Sequence, residues 1–179
     1  MRRVDRHALS GRTARVRARR EQGGRALKPS IAGVRVRELH PHADARGSLT
    51  ELLRSDWPEF TRFGQAIVTV NAPGVIRAWH RHRRQTDAIV VVRGRALLPL
   101  YDGREASATY GVIEEHVADG AAPFALFVPP GVYHGYKTLG DEPALILNFP
   151  DELYDPAAPD EERVPHDTPH IAYDWDKHG

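Results

Sequence analysis

From Ile31 onward, apolar and β-branched residues come in runs of five or six, divided by turn residues. The runs fall at residues 34–39, 49–53, 65–70, 75–80, 88–92, 96–101, 112–117, 124–128 and 144–149. They are too short for amphipathic helices and read as strands. Turn signals stand between them at Arg46-Gly47, Ala72 to Gly74, Asp102-Gly103, Asp119-Gly120, Pro129 to Gly131 and Gly140-Asp141. Glycine there supplies a positive φ and proline presets its own. Nine such strands without a helical stretch predict an all-β sandwich or jelly roll. Beyond Pro150 the chain is acidic and proline-rich through Pro169, a composition expected to wrap the body rather than add strands.

Composition adds bounds. A length of 179 residues fits one domain, and 41% hydrophobic content is enough for a core. No stretch nears the ~20 apolar residues of a membrane helix, and no apolar signal core follows the basic start. These features predict a cytoplasmic protein with no membrane partner. The chain has no cysteine, so any metal must be held by nitrogen and oxygen. Its net charge of +1 hides an asymmetry: residues 1–30 carry nine arginines and one lysine against two acids, a surplus of +8, which leaves residues 31–179 at −7. The arginine-rich start is expected to be a disordered extension. No aromatic is interleaved there for base stacking, which argues against nucleic acid as a partner. The organisation expected is an extension over 1–30, a barrel over 31–150 and a wrapping segment over 151–179.

The chemistry-bearing residues are concentrated. Gly74 opens a strand that carries His80 and His82, Asp87 follows five residues later, then Gly94, and Pro129, Gly131 and His134 form a second group. Alternate strand residues share a face, so His80 and His82 look into one interior while Arg81 turns outward. This pattern resembles the two motifs of the cupin superfamily, which implies a cupin jelly-roll barrel, a double-stranded β-helix. The order of further landmarks is narrower: Asp44, Arg46, Gly47 and Glu51; Phe63 and Gln65; Arg77 and His80; Pro129 to Tyr136; then His166 and Asp167 ahead of Trp175. Across residues 31–175 it resembles the dTDP-4-dehydrorhamnose 3,5-epimerase family.

That resemblance implies a metal-free homodimer acting on a nucleotide-linked, dTDP-type 4-keto-6-deoxy sugar, with the early strands supporting the neighbouring pocket. Epimerisation beside a ketone needs a base for the α-proton, a donor or cation for the enolate oxygen, and an acid on the other face. His80 matches the family's base and Asp167 the carboxylate that orients it. Arg46, Glu51, Gln65, Arg77 and His134 match positions lining the pocket, where Asn148 and Tyr154 also fall.

Two positions depart from the family. Its active-site lysine falls on Asp87 and its catalytic tyrosine on Asn148, leaving Tyr136 and Tyr154 as nearby phenols. His82 stands where glutamine is common. His80, His82, Asp87 and His134 then form an alternative set suited to Zn, Fe, Ni or Mn, and such an ion would replace the missing electrophile. A metal-dependent isomerase or oxygenase, and a nucleotide-sugar-binding protein without turnover, stay open beside the epimerase reading.

Overall fold

A computed structural model of the protein describes residues 16–17 and 30–178. Its strands are β1 Val16–Arg17, β2 Arg35–Glu38, β3 His42–Asp44, β4 Gly47–Leu49, β5 Ile67–Asn71, β6 Ile76–His82, β7 Asp87–Arg93, β8 Arg95–Asp102, β9 Ile113–Asp119, β10 Phe124–Val128, β11 Val132–Leu139, β12 Ala144–Asn148 and β13 Glu161–Arg163. One sheet has the order β1-β9-β8-β11-β6-β13, the second β2-β10-β7-β12-β5, and β3-β4 is a separate hairpin. All pairings are antiparallel except β1 with β9. From β5 to β8 and again from β9 to β12 the chain passes back and forth between the sheets, the winding of a jelly roll. The all-β cupin architecture expected from the sequence is the architecture observed. Among the described residues no helix is long and apolar enough to cross a membrane. The expected extension over 1–30 lies outside the described residues apart from β1 and Ser30.

The core follows from strand alternation. Ile89 and Val91 of β7, Leu98 and Leu100 of β8, Leu126 and Val128 of β10 and Ile146 of β12 interdigitate between the sheets. Burying each such side chain contributes on the order of 1.5–3 kcal/mol against leaving it in water. A second cluster lies outside β6, where Trp79 packs edge-on against Tyr173 at 5.5 Å between ring centroids and against Trp175 at 4.9 Å. The tail is further tied by reciprocal backbone hydrogen bonds between Trp79 and Val164.

Three expectations change. The run 49–53 is irregular beyond Leu49, because the pairing there is spent on the short β3–β4 hairpin. Residues 132–139, read from the sequence as a motif after a turn, form the central strand β11. The tail wraps the body but also adds β13, which pairs with β6 from His80 to His82 and covers what would be its open edge.

Candidate active site

Four side chains meet where β6, β7 and β11 converge. His80 and His134 face each other across the β6–β11 pair, with ring centroids 4.1 Å apart. The register slips between His134 and Tyr136, so that Gly135 lies almost against β6. A Cβ there would sit 2.3 Å from Ala78 Cβ and 2.6 Å from the Arg77 carbonyl, which is why this position takes glycine. Gly131, at φ 81°, turns the chain into β11 and donates its N–H to the His82 carbonyl at 2.8 Å. These two glycines place His134 behind His80.

Asp87 opens β7 in the opposite sheet, with its side chain fully buried. Its Oδ1 accepts hydrogen bonds from Gln85 Nε2 at 2.9 Å and Asn148 Nδ2 at 2.8 Å. Its Oδ2 lies 3.0 Å from His134 Nε2 and 3.3 Å from His82 Nε2. His80, His82, Asp87 and His134 offer donor atoms that all lie within 4.8 Å of one another. Burial pushes the His80 imidazole well below its ordinary pKa, and the neighbouring His134 adds to the effect. Burial opposes ionisation of Asp87, but His134 and His82 outweigh it and hold the carboxyl well below the usual carboxylate range. For His82 burial acts downward, and Asp87, followed by Glu161 and Asp160, overcomes it and raises the imidazole.

Above this cluster opens a cavity of about 670 Å³. Its wall is apolar on one side, with Ile67, Ile76, Ile89 and Ile146, and carries Gln65, Arg77, His80, His82, Asn148 and Tyr154 elsewhere. Arg77 is steadied by a 2.9 Å hydrogen bond from its Nε to Asn71 Oδ1. An apolar wall, a half-buried imidazole and an anchored guanidinium suit a ring with an anionic substituent. Tyr136 lines the same space.

Three residues expected at the site lie elsewhere in the chain's own fold. Arg46 is exposed at the hairpin turn and paired with Asp44, and Glu51 is exposed and paired with Arg54. Neither lines the cavity. Asp167 is exposed, in a turn closed by the Thr168 N–H on the Pro165 carbonyl, and makes no hydrogen bond to His80. The tail instead reaches His80 through Arg163, its backbone partner on β13 and a residue of the cavity wall. Gln85 was not singled out from the sequence, although its two-residue spacing from Asp87 was the available signal. Arg163 had no signal, because it lies in a tail without apolar periodicity.

The model of the dTDP-4-dehydrorhamnose 3,5-epimerase family matches residues 28–178. A probable low-salt glycan biosynthesis epimerase, Agl13 of Haloferax volcanii, is 43% identical over 149 residues, 82% of this chain and 96% of that protein. The spore coat polysaccharide biosynthesis protein SpsL of Bacillus subtilis is 41% identical over 145 residues, covering 81% and 96%. Among solved structures, a dTDP sugar isomerase from Desulfovibrio desulfuricans G20 superposes with a TM-score of 0.79 at 32% identity, over 84% of this chain and 95% of that one.

Proposed function

Because the chain belongs to the dTDP-4-dehydrorhamnose 3,5-epimerase family, we propose that it epimerises a dTDP-linked 4-keto-6-deoxy sugar at a carbon next to the ketone. The observation that carries this reading is His80 on the wall of a cavity large enough for a sugar, with Arg77 anchored beside it. His80 takes the α-proton, the C–H electron pair moves into an enolate, and an acid on the opposite face delivers a different proton to the same carbon, after which exchange with solvent resets both groups. Tyr136 and Tyr154 share the cavity and supply phenols for that delivery. The substrate and product are at the same oxidation level, so the reaction calls for no redox partner. Arg77 and Arg163 offer charge to the diphosphate, and Gln65 and Asn148 offer amides to the sugar.

The working form is a homodimer. Val68 and Val70 are exposed on the outward face of β5, an edge strand of its sheet, and Phe63 and Leu49 are equally exposed. An apolar edge of this kind calls for a partner strand or cover. A second copy would cover it and would let the β3–β4 hairpin carry Arg46 and Glu51 to the neighbouring cavity, since they do not reach their own.

Product analysis tests the activity. After incubation with dTDP-4-keto-6-deoxyglucose, borohydride reduction and release of the sugar, chromatography should reveal 6-deoxyhexoses inverted at C3, C5 or both. Recovery of only the two C4 epimers expected from the untouched ketone refutes the proposal.

A further inference from the structure

The β6–β11 pair carries one residue more on β6 than on β11. His134 stands opposite His80 and Tyr136 opposite Arg77, so two steps along β11 match three along β6, and Ala78 and Trp79 together face Gly135. Without the extra residue, Arg77 and His80 would lie on opposite faces of the strand. With it, Trp79 turns outward into the cluster with Tyr173 and Trp175, while Arg77 reaches inward to Asn71 and lines the cavity with His80. β11 keeps its alternation: Tyr133 packs outside, and His134 and Tyr136 face the interior, Tyr136 against the core between the sheets. His80, His134, Arg77 and Tyr136 are therefore the corners of two successive rungs on one face, with His80 and Tyr136 on a diagonal.

We propose that Tyr136 is the acid of the epimerisation, and that the sugar ring stands on edge between it and His80. Diagonal neighbours on a sheet face are about 7–8 Å apart. A carbon in reacting contact with a base on one side and an acid on the other keeps each at about 3–3.5 Å, which requires a gap of about 6–7 Å. The diagonal supplies that gap, and it puts the two groups on opposite faces of the ring, as inversion requires. Once His80 has taken the α-proton, the enolate electron pair makes the new C–H bond with the phenolic proton of Tyr136. Solvent then returns a proton to the phenolate and removes one from the imidazolium. The other phenols are placed differently. Tyr133 and Tyr173 spend their hydroxyls on Glu162 and Glu115, Tyr101 packs beside Tyr133 on the outer face, and Tyr110 is 53% exposed away from the cavity. Tyr154 borders the cavity from the tail, but at 61% exposure most of its surface is in water. Asn148 is an amide with its Nδ2 committed to Asp87, and it delivers no proton. The assignment rests on the epimerase reading and adds to it the side chain that inverts the carbon.

Tyr136→Phe in deuterated water separates the acid from the base. With dTDP-4-keto-6-deoxyglucose the wild-type chain should exchange the C3 or C5 hydrogen and invert that carbon. In Tyr136→Phe, His80 still removes the proton and returns a deuteron to the same face. The proton NMR signal should therefore still vanish, while inverted sugars, released after borohydride reduction, form at least roughly 100-fold more slowly. Tyr136→Met, which fills the space without a ring, should repeat the pattern, and dTDP affinity equal to wild type identifies the variants with an intact cavity. Exchange without inversion is a signature that loss of structure does not give, because unfolding removes both. Inversion at the wild-type rate in either variant, or loss of exchange together with inversion in a variant that binds dTDP as wild type does, overturns the assignment. A wild-type chain that exchanges neither hydrogen fails the epimerase reading itself, and this acid with it.

Discussion

Asp102 offers a quantitative test of how the turn before His134 is supported. Its carboxylate is fully buried and accepts from Arg104 Nε at 2.7 Å, Arg104 Nη2 at 2.8 Å, and the Ser107 and Thr109 hydroxyls at 2.6 Å each. Arg104 in turn packs where a Gly131 Cβ would stand, 2.5 Å from its Cγ, and donates to the Ala32 carbonyl. Burial opposes ionisation of Asp102, but these donors prevail and bring its pKa down from 3.8 to about 2. At about 1.4 kcal/mol per pKa unit this depression contributes about 2 kcal/mol of stability. Because the folded value is the lower one, the contribution is complete above pH 4 and disappears as pH falls from 4 toward 2. Asp102→Asn keeps the shape but removes the charge and turns an N–H toward donors. Urea unfolding at pH 7 should show a lower midpoint at unchanged m-value, with a loss of at least about 2 kcal/mol. The gap between wild type and variant should narrow in steps as pH falls from 4 toward 2. A loss below about 0.5 kcal/mol, the scale of an ordinary surface substitution, or a gap independent of pH, refutes the reasoning.

Gly135→Ala forces β6 and β11 apart at the site, so a thermal or urea melt should show a loss of about 1–3 kcal/mol together with reduced turnover. Arg77→Ala removes the anchored guanidinium, and calorimetry should find dTDP bound roughly tenfold or more weakly, the worth of a hydrogen bond to a charged group, while the buried Asn71 Oδ1 left without its donor lowers the melting temperature. The double variant Val68→Glu, Val70→Glu places charge on the outward face of β5. Light scattering should then report a monomer that keeps its far-UV spectrum, whereas a dimer would place the interface elsewhere.

Much of the barrel is written in local chemistry. The β10 range matched the apolar run 124–128, and β6 to β9 differed from theirs by a residue or two at the ends, because glycine, proline and aspartate punctuate most of the runs. β11 was hidden because Gly135 interrupts its pattern, and the reason for that glycine, contact with Ala78, lies more than fifty residues away in the chain. β13 was hidden because an edge strand of three residues is formed by its partner more than by its own propensity. The gathering of His80, His82, Asp87 and His134 was legible from two-residue spacing and the order of motifs. The position of Asp167 was not, since where a turn in a wrapping tail aims its side chain depends on packing of Ile171 and Trp175 against Trp79.

The most direct test of the central claim is solvent exchange at the sugar. With dTDP-4-keto-6-deoxyglucose in deuterated water, proton NMR should show the C3 or C5 signal of the sugar vanish in the presence of the wild-type chain. His80→Asn should bind dTDP yet leave both signals at the rate of the buffer alone. Exchange that persists undiminished in a folded His80→Asn, or a wild-type chain that binds the nucleotide sugar without exchanging either hydrogen, would contradict the account.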